Sequence, residues 1–331
     1  MGFVKNIIYK IANKSLLKTF KNQTIFPYYH LVSDSKIKHV ENLYTFKNKS
    51  KFKKDIEILK KYYTPINPEN ILEEKEKNNM FLLSFDDGLK EIYTEIYPIL
   101  KEQNLTAVFF INPLFVDNNE GLYKHYISLI ISRLEEMNFE NEKLNQIAKI
   151  FSFDYHSNDD FKISLKKIKY EDRVKVIQVL NFLDIDVKDY LKEHSPYVTK
   201  NQIQEMINDG FYFGGHTMSH PPLDQLNFLE QKKEIIDSIN WLKSNFNVQY
   251  SFFAFPFSDK MISRNLIAEL FDYDKSLVLF GNSGIKQDID KRIIQRFSLE
   301  NPYKETVKQI ITENLYKYYN KCIFKYHIKR K

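Results

Sequence analysis

Residues 80–88 read Met80-Phe81-Leu82-Leu83-Ser84-Phe85-Asp86-Asp87-Gly88, an apolar run that ends in two aspartates and a glycine. A second segment has the same design, because Phe211-Tyr212-Phe213 is followed by Gly214-Gly215-His216-Thr217-Met218-Ser219-His220-Pro221. Each apolar run is typical of a buried strand, and each glycine marks the turn after it. Since α/β folds build active sites where strands give way to turns, the two segments predict one shared site.

The polar side chains at these turns suit a divalent cation. Two imidazoles, His216 and His220, and the carboxylate of Asp87 would leave open positions for water and substrate, as in hydrolytic zinc sites. The histidines stand four residues apart, so a helical turn after the strand would put both on one face. Asp86 is then a second carboxylate, placed to act as a general base. Either pattern alone is often a solvated surface feature, and only their conjunction favours a metal site.

The two segments together resemble the signature motifs of the polysaccharide deacetylases, which are carbohydrate esterases with a NodB-type domain. The family patterns are Ser/Thr-Phe-Asp-Asp-Gly and His-Ser/Thr-x-x-His-Pro. The resemblance implies a deformed (β/α) barrel of the α/β class. It also implies Asp86 as general base, and Asp87, His216 and His220 as ligands of zinc or another divalent cation. The implied reaction is hydrolysis of an N-acetyl group, less often an O-acetyl group, on a sugar or glycan.

A third family motif, an aromatic-proline-aromatic turn, is matched in part by Ala254-Phe255-Pro256-Phe257. By resemblance, Phe255, Pro256 and Phe257 line the substrate site; the alternative is a buried strand that ends at a proline. Many relatives carry an arginine at position 254, where it orients the base. Its absence leaves open what holds Asp86. In lacking this arginine, the chain resembles the branch of the family that cleaves exopolysaccharides such as poly-N-acetylglucosamine.

The general acid is missing from its usual place in the family. The late Leu-x-His motif is absent, and His327 is the only histidine after Pro256. In the exopolysaccharide branch the barrel is circularly permuted, and an early Tyr-His motif on the first strand takes this role. The apolar stretch 26–32 contains such a motif, so the resemblance implies His30 as the acid. From the residues alone, a hydrogen-bonded core histidine is the ordinary interpretation, and His39 is the main competitor.

Length and composition fit one barrel-sized domain with additions. The chain has 331 residues, of which 43% are hydrophobic, enough for a sizeable core. We expect an amphipathic N-terminal helix at 1–22, a barrel at 23–315 with a helical insertion at about 113–197, and a basic aromatic tail at 316–331. The clearest barrel helix is predicted at about 224–246. Strands separated by helices imply parallel pairing, and they are predicted at 24–29, 81–85, 106–111, 211–213, 250–255 and 276–280.

Charge and the two ends of the chain bear on partners and location. The net charge is +6, and much of the excess lies at the two ends of the chain. The basic ends could make peripheral contact with a membrane surface, or they could simply be solvated. No recognition motif accompanies the basic residues, so nucleic-acid binding is not expected. The N-terminus lacks the apolar core and cleavage site of a secretory signal, and the single cysteine, Cys322, fits a reducing compartment. We therefore expect a cytoplasmic protein, with membrane association left open.

The sequence favours a metal-dependent hydrolase that removes N-acetyl groups from a sugar in a glycan or glycan precursor. Two other classes stay open. A non-haem Fe(II) oxygenase also uses two histidines and a carboxylate, although the usual His-x-Asp spacing is absent and Asp86 would have no task there. A non-catalytic glycan-binding relative would explain the missing arginine at 254, although it would have no use for a base.

Overall fold

The computed structural model describes residues 3–17 and 23–331. The chain divides into two compact units. The first comprises Met1–Asp34, Phe46–Val116 and Tyr197–Lys331, and the second comprises Ser35–Thr45 and Asp117–Pro196. Residues 1–2 and 18–22 of the predicted N-terminal segment 1–22 lie outside the described residues.

The first unit is built on short parallel strands. Those in the described residues are β1 (Pro27–Tyr29), β2 (Thr64–Pro65), β3 (Met80–Phe81), β4 (Leu83–Phe85), β5 (Ala107–Ile111), β6 (Tyr212–Gly215), β7 (Ser251–Ala254), β8 (Leu277–Gly281), β9 (Ile293–Gln295) and β10 (Phe297–Ser298). Strands β2 and β3 pair with each other, and the others form one sheet in the order β10-β1-β4-β5-β6-β7-β8-β9. Every residue of β5 and β8 is buried, as expected where a parallel sheet is covered on both faces.

The last two strands bring the edges of the sheet together. Strand β9 pairs with β8 at one edge, and β10 pairs with β1 at the other. Only Arg296 separates β9 from β10, and its backbone N–H donates to the carbonyl of Gly281 at 3.1 Å. One continuous segment thus contacts both edges and closes the sheet nearly into a barrel. The predicted deformed (β/α) barrel is confirmed.

Helices alternate with the strands along the chain. The α-helices in the described residues are α1 (Phe3–Ile11), α2 (Lys49–Tyr62), α3 (Ile71–Glu74), α4 (Tyr97–Glu102), α5 (Tyr123–Glu136), α6 (Asn141–Phe151), α7 (Asn158–Lys166), α8 (Arg173–Phe182), α9 (Val187–His194), α10 (Lys200–Asn208), α11 (Phe228–Phe246), α12 (Arg264–Tyr273) and α13 (Thr306–Cys322). Helix α2 shows how they cover the sheet: Phe52, Ile56 and Leu59 recur at helical spacing and join the core formed by Tyr29 and Phe85 of the strands. Within the described parts of the chain, no helix is both long and apolar enough to cross a bilayer.

The second unit is helical. It contains α5 to α9, together with residues 35–45. Helix α5 packs against α7 and α8, and the unit has its own buried apolar side chains, among them Ile130, Leu144, Phe161 and Val179. It overlaps the predicted helical insertion at 113–197 and adds to it a short segment from earlier in the chain.

The predicted strands and the helix near 224–246 are present, with small shifts at their ends. Helix α11 begins at Phe228 because Asn227 caps it: the Asn227 side chain accepts a hydrogen bond from Glu230 N at 3.0 Å, and Glu230 accepts one from Asn227 N at 2.9 Å. Strands β9 and β10 were not predicted. They have three and two residues, too few for a recognisable periodicity.

The end of the chain is anchored on the first unit. Residues 316–322 complete α13, and the residues after them cross towards β9. There the buried guanidinium of Arg330 donates to Asp259 Oδ2 at 2.7 Å and to Asp288 Oδ2 at 2.6 Å. It also donates to the backbone carbonyl of Asp259, in the loop after β7, at 2.6 Å. The tail therefore helps to fix the loop that follows the aromatic-proline-aromatic motif.

Candidate active site

Asp86 and Asp87 come directly after β4. The backbone N–H of Asp86 donates to Tyr29 O at 3.0 Å, which carries the β1–β4 pairing one step further. The chain then turns through left-handed backbone at Asp87 (φ 72°) and Gly88 (φ 65°). Glycine suits position 88 for a second reason, because an added Cβ would lie 3.0 Å from Ile111 Cγ2. The turn places both aspartates at the carboxyl end of the sheet.

The loop from His216 to His220 is not the helical turn that the four-residue spacing suggested. Thr217 (φ 68°) and His220 (φ 57°) both have left-handed backbone, and Thr217 Oγ1 accepts a hydrogen bond from His220 N at 3.0 Å. Glu234, on α11, accepts hydrogen bonds from two further backbone N–H groups of the loop at 2.8 and 3.1 Å. These contacts bring the two imidazole rings to a centroid distance of 4.9 Å. A helical turn is therefore not needed to bring the rings together, because side chains hold the loop by accepting hydrogen bonds from its backbone.

Asp87, His216 and His220 converge although they come from different strands. Oδ1 of Asp87 lies 3.4 Å from Nε2 of His216 and 3.1 Å from Nε2 of His220. One donor atom from each residue lies within 4.8 Å of the other two. All three side chains are buried, and Oδ1 of Asp87 has no hydrogen bond of ordinary geometry within the described structure. We call these three residues the donor group.

The protonation of the donor group favours a cation. Nδ1 of His216 lies 2.8 Å from the carbonyl of Ala254; because a carbonyl only accepts, Nδ1 carries a proton, and Nε2 is the ring nitrogen that faces Asp87. Burial, together with the nearby His216 and His30, lowers the pKa of His220 below its ordinary value although Asp87 raises it, which favours the neutral ring. Burial alone would raise the pKa of Asp87, but the neighbouring histidines hold it well below its usual range. Two imidazoles and one carboxylate with facing lone pairs fit a divalent cation.

Asp86 is held by Arg296, which the sequence analysis did not identify. Nη1 of Arg296 donates to Oδ1 of Asp86 at 2.7 Å, and Nη2 donates to Oδ2 at 2.9 Å. Arg296 is fully buried, donates also to Ser84 Oγ at 2.9 Å, and lies 4.8 Å from the ring centroid of Tyr28. Burial alone would raise the pKa of Asp86, but the charge of Arg296 lowers it below its usual range. The guanidinium missing at position 254 is therefore supplied by the segment that closes the barrel.

His30 is held by a second residue of that segment, Glu300. The backbone N–H of His30 donates to Oε2 of Glu300 at 2.8 Å, and Nδ1 of the ring lies 3.0 Å from Oε1. Burial by itself lowers the pKa of His30, but the carboxylate of Glu300 outweighs it and raises the pKa to about 10. Strand β1 pairs with β4, so His30 and Asp86, each the first residue after its strand, lie at adjacent strand ends. We call Asp86, Arg296, His30 and Glu300 the paired group.

The aromatic motif presents one ring to solvent. Phe255 is buried in a core cluster with Phe253, and Pro256 is also buried. Phe257 is 46% exposed, and its ring stands edge-on to that of His220 at a centroid distance of 4.7 Å. Of the three predicted substrate-binding residues, Phe257 is thus the one with an open aromatic surface beside the donor group.

The competing histidines lie in other surroundings. His39 belongs to the second unit, where its Nδ1 lies 2.9 Å from the hydroxyl of Tyr190. His327 lies in the C-terminal segment, in a parallel bridge with Gln287. Of His30, His39 and His327, it is His30 that lies with Asp86 at the strand ends.

Comparison with known proteins decides the family. The sequence matches the family model described as polysaccharide deacetylase over residues 73–148 and 168–275, more than half of the chain. The chain belongs to the polysaccharide deacetylase family. Its members act on acetylated glycans, and the chain is accordingly a hydrolase of amide bonds that de-N-acetylates a glycan. No protein with curated annotation matches the sequence.

Solved structures of deacetylases have a similar fold. The deacetylase PplD of Streptococcus pyogenes, in complex with acetate, is 14% identical with a TM-score of 0.56, covering 88% of this chain and 98% of that one. IcaB from Ammonifex degensii is 14% identical with a TM-score of 0.54, covering 88% and 97%. A de-N-acetylase from Aggregatibacter actinomycetemcomitans is 16% identical with a TM-score of 0.50, covering 87% and 99%. The likeness to IcaB is consistent with the permuted branch of the family, as is the position of His30 directly after the first strand.

The missed residues lie where the family model does not reach. The two signature motifs fall inside the matched ranges, whereas Arg296 and Glu300 lie beyond residue 275. One local signal points to them: each is a charged residue within or directly after the stretch 293–299, in which four of the seven residues are apolar. A charge in a buried strand requires a partner, so the stretch could have been recognised as part of a charged site.

Proposed function

We propose that this chain is a metal-dependent deacetylase that removes N-acetyl groups from sugars in a glycan or glycan precursor, with Asp86 as general base and His30 as general acid. The observation that carries the proposal is the meeting of three elements at one end of the barrel. The donor group can hold a cation, Asp86 beside it is ionised and oriented, and His30 is held protonated next to Asp86. Amide hydrolysis needs a polarised carbonyl, a base and an acid.

Asp87, His216 and His220 would hold the divalent cation. When bound there, the cation would supply Lewis-acid polarisation of the acetamide carbonyl and of the attacking water. The support is the donor set itself, since the His216 tautomer is fixed by the carbonyl of Ala254 and a buried carboxylate oxygen lacks an ordinary hydrogen bond. Zinc suits such a set, although the residues do not single out zinc among divalent cations.

Asp86 takes the proton of the attacking water. Its two oxygens each accept one hydrogen bond from Arg296 and keep a further lone pair for that proton. The lowered pKa keeps the carboxylate ionised before reaction. Arg296 is a positioning residue here: it fixes the orientation of the base, and it offsets the cost of burying the charge.

His30 gives a proton to the leaving nitrogen. An amide anion is a very poor leaving group, so the C–N bond breaks only as the nitrogen is protonated and departs as an amine. Glu300 occupies Nδ1, so the proton transferred is the one on Nε2. The raised pKa keeps His30 protonated at neutral pH. The products are acetate and a glucosamine-type amine.

The structure of the site bears on the two competing functions. A non-catalytic glycan-binding protein was suggested by the missing arginine at position 254, and Arg296 removes that argument because it holds Asp86 by two hydrogen bonds. An Fe(II) oxygenase would share the donor group but would have no task for an oriented base and a carboxylate-held acid. The paired group therefore favours hydrolysis.

Acetate release tests the proposed function. The purified protein is incubated with N-acetylglucosamine oligomers, and acetate and free amine are both quantified. We expect the two in equal amounts, loss of activity after dialysis against a chelator, and recovery with an added divalent cation. Binding of the oligomer without either product would favour the non-catalytic alternative, and oxygen consumption with a hydroxylated product would favour the oxygenase.

A further inference from the structure

Helix α1 exposes its apolar residues to solvent. Phe3, Ile7 and Ile11 follow one another at four-residue spacing, so they share one face. They are 80%, 46% and 70% exposed, and no residue of the helix is buried. A surface helix of a soluble domain normally turns such a face towards the core. We call these three side chains the α1 apolar face.

On the opposite side of α1, two polar side chains contact the protein. Lys5 donates to Glu313 of α13 at 2.6 Å, and the hydroxyl of Tyr9 accepts a hydrogen bond from Glu305 N at 2.9 Å. Lys5 and Tyr9 are also four residues apart, on the side of the helix turned away from the α1 apolar face. These polar contacts help to fix the helix on α13. The docking leaves the apolar side chains available rather than buried.

The surroundings of the α1 apolar face are basic. The first acidic residue of the sequence is Asp34, and five lysines precede it. Lys10, on α1 itself, is exposed. Lys14, three residues beyond Ile11, keeps 62% of its side chain exposed although it pairs with Glu305. An apolar strip on a segment with exposed lysines matches the acyl and headgroup layers of an anionic bilayer.

We propose that α1 is an in-plane membrane anchor, which inserts Phe3, Ile7 and Ile11 into the headgroup region of an anionic bilayer while the neighbouring lysines contact lipid phosphates. A second copy of the chain suits this face less well. An isologous contact would bring two lysine-rich segments together, and their like charges would oppose association. The anchor is independent of the reaction chemistry, because it uses none of the donor or paired group.

Co-sedimentation with vesicles tests the anchor in the full-length chain. Vesicles of phosphatidylcholine alone are compared with vesicles that contain one third phosphatidylglycerol. We expect binding to the anionic vesicles, weakened by salt, and a loss of roughly 10-fold or more in Phe3→Asp/Ile7→Asp/Ile11→Asp. The control Leu229→Asp alters a side chain that is 74% exposed on α11 and should bind as the parent does. Ile11→Asp alone is the milder variant if the triple one lowers the thermal unfolding temperature.

Several results would overturn the anchor. They are absence of binding to anionic vesicles, equal binding to neutral ones, and equal binding by the variants of the α1 apolar face. A parent chain that is dimeric in solution and becomes monomeric in the triple variant would assign this face to a second copy instead. Acetate release from a soluble oligomer should be the same in parent and variants, so failure of the anchor is distinguishable from failure of the proposed deacetylation.

Discussion

The donor group and the paired group lie at the same end of one barrel, yet they are built in opposite ways. In the donor group, lone pairs of Asp87, His216 and His220 face each other, and Asp87 Oδ1 has no ordinary hydrogen bond. In the paired group, each charge already has its counter-charge within 3.0 Å. This difference supports the proposal that a cation completes the donor group, whereas the protein alone preorganises the paired group.

Arg296→Ala should break the paired group most severely. It leaves the buried carboxylate of Asp86 without a counter-charge, so we expect a loss of about 3–5 kcal/mol in the free energy of unfolding. The pKa of Asp86 should rise, and turnover should fall by roughly 10³-fold or more because the base is neither ionised nor oriented. Urea unfolding and acetate release measure the two effects. Arg296→Lys keeps the charge without the two-point contact, so its stability and turnover should lie between those of the parent and those of Arg296→Ala. An alanine variant that is as stable and active as the parent would refute the pairing.

His30→Ala removes the acid of the paired group and leaves the donor group intact. We expect metal content and fold to be retained while kcat falls by roughly 10²–10⁴-fold, the usual range for a positioned acid. His39→Ala is the matched control, because His39 is bonded to Tyr190 in the second unit. Near-normal turnover in His30→Ala beside an inactive His39→Ala would show that the acid was misassigned.

Glu300→Gln keeps the shape of the His30–Glu300 pair and removes its negative charge, so it should change how stability and turnover depend on pH. Burial lowers the pKa of His30, but Glu300, with smaller contributions from Asp87 and Asp86, raises it to about 10 from its ordinary value of 6.5. The stabilisation from the pair is fully present below about pH 6.5 and is lost as pH rises towards 10. In the variant this loss should disappear, and the alkaline limb of the pH–rate profile should move to lower pH. An unchanged alkaline limb would mean that His30 does not set it.

Phe257→Ala should have the smallest effect, since it touches neither group's charges. Packing of a sugar ring on an exposed aromatic surface contributes about 1 kcal/mol, so we expect KM to rise a few-fold with kcat nearly constant. Met261→Ala, at an exposed apolar position in the same loop region, is the control. A fall in kcat with unchanged KM would assign Phe257 to the positioning of His220 instead.

The site residues that directly follow predicted strands could be identified from the sequence, whereas those brought in by closure of the barrel could not. Asp86, Asp87, His216 and His220 each follow an apolar strand within a few residues, so their presence at the carboxyl end of a sheet could be inferred. Arg296 and Glu300 reach the site only because two very short strands join the edges of the barrel. No periodicity reveals strands of that length.

Loop geometry and the exposure of single side chains were also beyond the sequence. The four-residue spacing of His216 and His220 suggested a helix, but Glu234 on α11 holds the segment as a loop. Phe255 and Phe257 look alike in sequence, yet only Phe257 is open. The proposed domain boundaries and the cytoplasmic location stay predictions.

The division of roles between the two adjacent aspartates is tested most directly by measuring bound metal and acetate release in Asp86→Asn and Asp87→Asn side by side. Both variants remove one negative charge from the same turn, so each is the other's control. We expect Asp87→Asn to lose most of its divalent cation together with its activity, and Asp86→Asn to keep the cation while turnover is abolished. Equal metal loss in both variants, or substantial turnover by Asp86→Asn with its metal bound, would contradict the assignment of ligand and base.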